Sequence, residues 1–321
     1  MRLPPIHLWI YNHPFSGISD QVVFFVTALK QKGYAVSVGK QPRPSSLNVV
    51  IEGFSLRSHR DVLMEFCQST RKRVAVIMTE HIDIENGQIL FHGAPLGSAN
   101  DYMPPATILG RVKHLLECLL YIRCFFVLGD LPELRNLSTM LPGLDVRSIP
   151  FPSLDDGPCE AVGTSADTVH DLVFTGVMTE YRAKLLGLLE EEGLSVTCPR
   201  KFISRNRRNA MNRSGKIIVN IPQREDWQWL SLMRIIAGLQ TGRAAISLGT
   251  HDASRIASCC TQLNLQDHDW VNRVKQCVGG WKSLYMRDLM SYAAMAQKYE
   301  QERPFPHDVF EYWSITDRVC C

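Results

Sequence analysis

The sequence predicts an α/β protein of two consecutive lobes, each built on a mostly parallel sheet. Three observations lead there. Short apolar runs alternate with amphipathic helical stretches along most of the chain, the signature of βα units. That alternation breaks once, over residues 153–168, and then restarts. Here Asp155-Asp156-Gly157-Pro158 and Gly163-Thr164-Ser165 supply turn chemistry without apolar periodicity. The 321 residues exceed ordinary single-domain size, and either half is long enough to bury a core of its own. The expected domains are 1–160, 161–300 and a helical tail at 301–321 that packs back on the first lobe.

In the first lobe, residues 6–11 read as the opening strand, followed by the polar turn Asn12-His13-Pro14-Phe15-Ser16-Gly17. A helix fits 19–30, with Ser19 as its N-cap and Gly33 just past its end. Strands follow at 34–38 and 48–51, then a helix at 59–67 and an almost pure β run at 73–78. A long helix at 108–121 leads into a strand at 124–128. A short strand at 146–149 closes the lobe. In the second lobe, Asp171-Leu172-Val173-Phe174-Thr175-Gly176 is a strand meeting a glycine turn. The helix at 181–192 is stopped by Gly193. A strand at 194–197, a basic stretch at 200–216, a strand at 217–221, a helix at 229–240 and a strand at 244–247 follow. The remainder reads as mostly helical and ends in an aromatic, amphipathic piece at 306–317.

Composition narrows the function classes. A formal charge of +3 over this length argues against a nucleic-acid partner, so any anion site must come from local clustering. Cys67, Cys118, Cys124 and Cys277 sit in apolar runs, where a thiol packs as a small hydrophobe. No C-x-x-C pair or zinc-ligand spacing occurs, and the N-terminus lacks the apolar stretch of a signal peptide. A reduced, cytoplasmic protein is the expectation. The apolar segment 115–128 is broken by Glu117 and Arg123 and is too short to span a bilayer. Peripheral attachment at the inner face of a membrane stays open.

The chemistry concentrates in the second lobe. The strand–glycine–helix at 173–189 is a common way to present free amides to a phosphate, although one glycine is weak without a dinucleotide or Walker fingerprint. Arg205, Arg207, Arg208, Arg213 and Lys216 crowd the segment that leads into the next strand. Such runs are commonly just solvated. Open α/β sheets bind ligands at the carboxyl ends of their strands, so the run is expected to bring cations there for a diphosphate.

Phe174-Thr175-Gly176 followed by Tyr181-Arg182 resembles the opening of the C-terminal lobe in group 1-type GT-B glycosyltransferases. Arg213-Ser214-Gly215-Lys216-Ile217-Ile218-Val219-Asn220-Ile221 is similar to their RSKIxLNI strand. Met233-Arg234-Ile235 through Gly242 to Ala245-Ile246-Ser247 resembles the helix and strand that follow. The three pieces fall in order across residues 171–250; the N-terminal half matches in architecture only. The resemblance implies two Rossmann-like lobes with a cleft between them and a nucleotide-sugar donor in the second lobe. The acceptor, a carbohydrate, a lipid-linked glycan or another hydroxyl compound, would approach from the first. It implies no metal and no cofactor beyond the donor. Gly176, Arg182, Arg205, Arg213, Lys216, Asn220, Arg234, Ser247 and Thr250 are then the expected donor-side residues. Arg182, Arg213, Lys216 and Arg234 come first for the diphosphate.

Two positions depart from the family pattern. Many relatives carry a glutamate one helical turn before the arginine matching Arg234, where this chain has Ser231; another often closes the next strand, at Leu248 here. Glu225, Asp226 and Thr250 are the nearby substitutes. In the first lobe His13, in the turn after the opening strand, is suited to deprotonate an acceptor hydroxyl, or is simply a turn histidine beside Pro14. Glu80, after the β run, is a candidate base or hydroxyl ligand, and Glu52 shares its position after a strand. Asp20 is a further candidate, with a helix-dipole role as the alternative. Trp227 and Trp229 suit stacking on a base or sugar as well as plain packing. Retaining enzymes of this fold need no such base. Three readings follow: a glycosyltransferase, a GT-B-like binding partner without turnover, and a GT-B-like sugar-nucleotide epimerase.

Overall fold

A computed structural model describes residues 3–11, 15–96, 103–130, 143–154, 168–227 and 229–319. The chain divides into two compact units: Met1–Pro152 with Glu300–Cys321, and Ser153–Tyr299.

Unit 1 opens with β1 (Ile6–Trp9), α1 (Phe15–Gln31), β2 (Val36–Gly39), β3 (Leu47–Ile51), α2 (Arg57–Thr70) and β4 (Val74–Ile77). A small antiparallel sheet of β5 (Ile82–Glu85), β6 (Gln88–Phe91) and β7 (Ala94–Pro95) intervenes. Then come α3 (Pro105–Glu117), β8 (Ile122–Leu128) and β9 (Asp145–Ile149). The main sheet runs β2-β1-β3-β4-β8-β9 and every pairing in it is parallel. Parallel strands are buried on both faces, which is why they read as unbroken apolar runs: all four residues of β4 are fully buried. The chain adds β2 on one side of β1 and β3 on the other, so the direction of sheet growth reverses between β1 and β3. That reversal is a topological switch point.

Two local features differ from the sequence expectation. Helix α1 begins at Phe15, so Ser19 is a buried residue inside it and not its N-cap. Ile18, Val22, Phe25 and Leu29 form the buried stripe that sets this helix, and its first turn simply precedes the stripe. The hairpin at 82–95 stands where no element is expected. Its turns, Asn86-Gly87 and His92-Gly93, all have positive φ (49°, 76°, 52° and 79°), the backbone that two-residue hairpins require.

Unit 2 comprises β10 (His170–Val173), α4 (Glu180–Glu191), β11 (Val196–Thr197), α5 (Arg205–Ser214), β12 (Gly215–Asn220), α6 (Leu232–Gln240), β13 (Ala244–Leu248), β14 (Thr261–Leu263), α7 (Trp270–Gly279) and most of α8 (Trp281–Glu302). Its sheet runs β11-β10-β12-β13-β14, again wholly parallel, with its switch point between β10 and β12. The basic stretch is largely the helix α5, started by Ser204, whose hydroxyl accepts from the Arg207 N–H at 3.4 Å. The chain then returns to unit 1 through α9 (His307–Val319). Phe310 and Trp313 are fully buried there, and Phe310 stacks on Phe126 with ring centroids 5.2 Å apart. No described helix is long and apolar enough to cross a membrane.

Candidate functional site

In unit 2 the switch point gathers several of the expected donor-side residues. Asn220 ends β12 and Ser247 lies near the end of its neighbour β13, paired in register. The Asn220 amide donates to Ser247 Oγ at 2.7 Å, and Thr250 Oγ1 donates to the same oxygen at 2.8 Å. All three are at most 1% exposed, so the trio is a satisfied, buried brace that fixes the strand ends. Arg234, in the first turn of α6, is half-buried and donates from Nη1 to Asn220 Oδ1 at 2.7 Å. Its Cζ lies 5.2 Å from the Phe174 ring centroid. An amide oxygen and an aromatic face both orient the guanidinium.

Gly176 is required by this arrangement. A Cβ at that position would stand 2.7 Å from Arg234 Nη2 and 2.7 Å from Phe174 Cζ. Arg182 has a different role. It is 4% exposed and donates to two loop carbonyls, to Ile221 from Nε and Nη2 at 3.0 and 2.7 Å, and to Val177 from Nη1 at 2.6 Å. It therefore ties the loop after β10 to the loop after β12. Thr179 adds to that tie: its hydroxyl accepts from the Arg182 N–H and lies 3.2 Å from the Gln223 carbonyl. Tyr181, whose hydroxyl has no hydrogen-bond partner among the described residues, is packed against Gly249. Burial, with the charge of Glu225, pushes its phenol up.

The basic run lies at the other edge of the sheet. A segment that leads into a strand meets that strand's amino end, and α5 enters β12 directly. Lys216 pairs with Asp171 at 2.7 Å, near the start of β10, and Asp171 is held below the ordinary carboxylate range although burial opposes this. Arg213 is exposed, and its carbonyl accepts from Arg243, just ahead of β13. Arg205 reaches Gln240, the last residue of α6, at 3.2 Å. The expected set thus separates into Gly176, Arg182, Asn220, Arg234, Ser247 and Thr250 at the carboxyl edge, and Arg205, Arg213 and Lys216 away from it. Asp226 is taken by Arg224 in a two-pronged pair at 2.8 Å. Asp267-His268-Asp269 belongs to the turn ahead of α7, where Asp267 accepts from the Asp269 N–H at 3.1 Å and from Arg273 at 3.2 Å.

In unit 1, His13 lies outside the described residues. Asp20 is half-buried within α1. Glu80 and Glu52 come together in a network that sequence reasoning did not foresee. Arg111 of α3 donates to Glu80 at 2.8 Å and forks onto Glu52, and His92 reaches the other Glu80 oxygen at 2.8 Å. Glu52, Glu80 and Arg111 are all buried. Burial alone would raise the Glu80 carboxyl, but the His92 hydrogen bond and the Arg111 charge outweigh it and hold the group below its usual range. A carboxylate so engaged pins the hairpin to α3 and the sheet.

Comparison with known proteins adds the architecture. No protein-family model matches the chain, and no curated protein matches it. Among solved structures, sucrose-phosphate synthase from Thermosynechococcus elongatus superposes with a TM-score of 0.52 at 12% identity, over 93% of this chain and 97% of that one. The chain has the GT-B fold. The T4 phage BGT, solved in complex with its UDP-glucose substrate, aligns at 9% identity over 94% of this chain and 99% of that one, with a TM-score of 0.49. Both units of this GT-B protein carry the same strand order about their switch points, and the residues grouped around Arg234 sit at the switch point of the second. Leu248, at the position where the group 1-type pattern that the sequence resembles often has a glutamate, is fully buried at the end of β13. Ser231 directly precedes α6 without a side-chain cap bond.

Proposed function

We propose that this protein is a glycosyltransferase that moves a sugar from a nucleotide-sugar donor held by unit 2 to an acceptor hydroxyl, without a metal. The observation that carries this is Arg234, oriented at the switch point of unit 2 by an amide oxygen and an aromatic face, with Gly176 leaving room beside it. A diphosphate there gains charge-assisted hydrogen bonds from a guanidinium whose orientation is already set. In this reading Arg182, Asn220, Ser247 and Thr250 are positioning residues, and the cations of α5 take no part. Fold alone does not decide chemistry, so the reading stands on this site.

The test is a thermal-shift series against UDP, GDP, CMP and dTDP with their sugar conjugates. A ligand specific for the folded state adds about 2.7 kcal/mol at a hundredfold excess over its dissociation constant. One nucleotide should shift the protein selectively. Arg234→Ala and Gly176→Ala should each weaken that binding by roughly ten- to a hundredfold, the range expected for charged hydrogen bonds. Arg213→Ala should leave it unchanged. Equal losses in Arg213→Ala and Arg234→Ala would remove the switch-point assignment.

A second reading, a protein that binds the donor without turnover, is favoured by Leu248 and Ser231. Nucleotide-sugar binding with neither transfer nor hydrolysis of the sugar would select it.

A further inference from the structure

The cations that sugar transfer leaves aside form a surface of their own. From Gly193 to Arg224 the sequence holds no Asp or Glu, while Arg200, Lys201, Arg205, Arg207, Arg208 and Arg213 crowd its middle. The whole chain carries a formal charge of only +3, so this imbalance is local. Helix α5 sorts its residues by face. Arg205, Arg208 and Asn212 fall on the inner side, where Arg205 reaches Gln240 at 3.2 Å and Asn212 is buried. Arg207, Ala210 and Arg213 recur every three residues on the outer side and are exposed, as are Arg200 and Lys201 ahead of the helix. None of these four outer cations makes an ion pair among the described residues.

Two further observations distinguish them from an ordinary solvated face. Arg205, Arg207 and Arg208 occupy the first turn of α5, which carries no acidic residue. The amino end of a helix disfavours positive charge, so the cluster costs the helix stability there. Phe202, two residues ahead of the N-cap Ser204, is 67% exposed between Lys201 and that first turn. The Ser204 hydroxyl accepts from the Arg207 N–H, which keeps the segment bearing Phe202 next to the outer arginines. An exposed ring set among cations matches a bilayer boundary, where headgroups take the charge and the ring enters the apolar layer. A nucleic acid would use the cations alone. Phe202 is the one aromatic residue of 193–224, and single-strand sites stack successive bases on several.

We propose that residues 200–213 dock unit 2 on an anionic lipid surface, with Arg200, Lys201, Arg207 and Arg213 meeting the headgroups and Phe202 entering the interface. This does not rest on the transferase reading. Co-sedimentation of the full chain with vesicles tests it, using phosphatidylcholine alone and an equal mixture of phosphatidylcholine and phosphatidylglycerol. The protein should bind the mixed vesicles and not the neutral ones, and salt that shortens the Debye length to about 3 Å should release it. Arg207→Glu and Arg213→Glu should each weaken binding by roughly fivefold or more, the scale of one basic residue at such a surface. Lys113→Glu, an equal charge change on the exposed side of α3 in unit 1, should leave binding as it is. Phe202→Ser should weaken it roughly tenfold while the salt dependence stays. All four variants should melt with the wild type, since every substituted side chain is exposed. No preference for phosphatidylglycerol, or equal losses in Lys113→Glu and Arg207→Glu, would overturn the proposal. So would binding to a single- or double-stranded oligonucleotide by a protein that ignores vesicles.

Discussion

At the scale of single residues, burial decides which charged groups are available for chemistry and which are structural. Asp288 in α8 is fully buried, with one oxygen bonded by Arg287 at 2.6 and 2.9 Å and the other without a partner among the described residues. Burial raises its carboxyl to about 6, with the Arg287 hydrogen bond and charge opposing. The folded-state value therefore exceeds the unfolded one, and the folded protein binds the extra proton. The associated stability is full below the unfolded value and lost as pH rises through about 6. Asp288→Asn should consequently raise stability at pH 7.5, by up to about 3 kcal/mol for a two-unit displacement. The gain should fade as pH falls toward 4, and chemical denaturation at several pH values measures it. A gain independent of pH would mean that packing, not ionisation, sets the difference.

Elements show why local composition misleads about location. The cations of α5 are conspicuous in sequence, yet a helix feeding a parallel strand delivers its end to the amino edge, opposite the ligand edge. Asn86-Gly87 between Ile82-Asp83-Ile84-Glu85 and Gln88-Ile89-Leu90-Phe91 is a strong hairpin signal in the sequence. Without the hairpin, Glu80 is simply a residue that follows a strand. Its burial follows from the hairpin, because His92 in the second turn and Arg111 from α3 close over it. Arg111→Met should therefore leave the buried Glu52 carboxylate without its forked cation and Glu80 with His92 alone, and destabilise unit 1 by roughly 3–5 kcal/mol. The deficit should shrink at acidic pH, because Glu80, without the Arg111 charge that offsets its burial, takes up a proton more readily. Urea melts at pH 7 and pH 5 would show this, and an equal deficit at both would assign the loss to packing.

For the whole molecule, the path of the chain matters as much as its elements. It leaves unit 1 once, builds unit 2, and comes back through α9. Phe310 sits 5.2 Å from both Tyr34 and Phe126, and the Tyr34 hydroxyl lies 3.0 Å from His307 Nδ1. Lys32 pairs with Glu300, where the chain re-enters unit 1. Removing residues 305–321 would expose these aromatic faces. It should lower the melting of unit 1 while the nucleotide-induced shift of unit 2 persists. Calorimetry with and without nucleotide distinguishes this from a uniform loss in both units, which would mean that the tail supports the whole chain.

What the sequence determined by itself is the α/β class and the parallel character of both sheets. Strands buried on both faces must be apolar throughout, and helices between them must be amphipathic, so the alternation is written into composition. The resemblance around Gly176, Asn220, Arg234 and Ser247 likewise marks a stretch whose residues meet in space, because each follows or ends a neighbouring strand. Only the tertiary structure decided which cations share an edge with them, that Glu52 and Glu80 share one arginine, and that Tyr11 and His59 pack edge to face. Those facts depend on which end of a strand a segment meets and on contacts between residues tens of positions apart. Local periodicity carries no record of either.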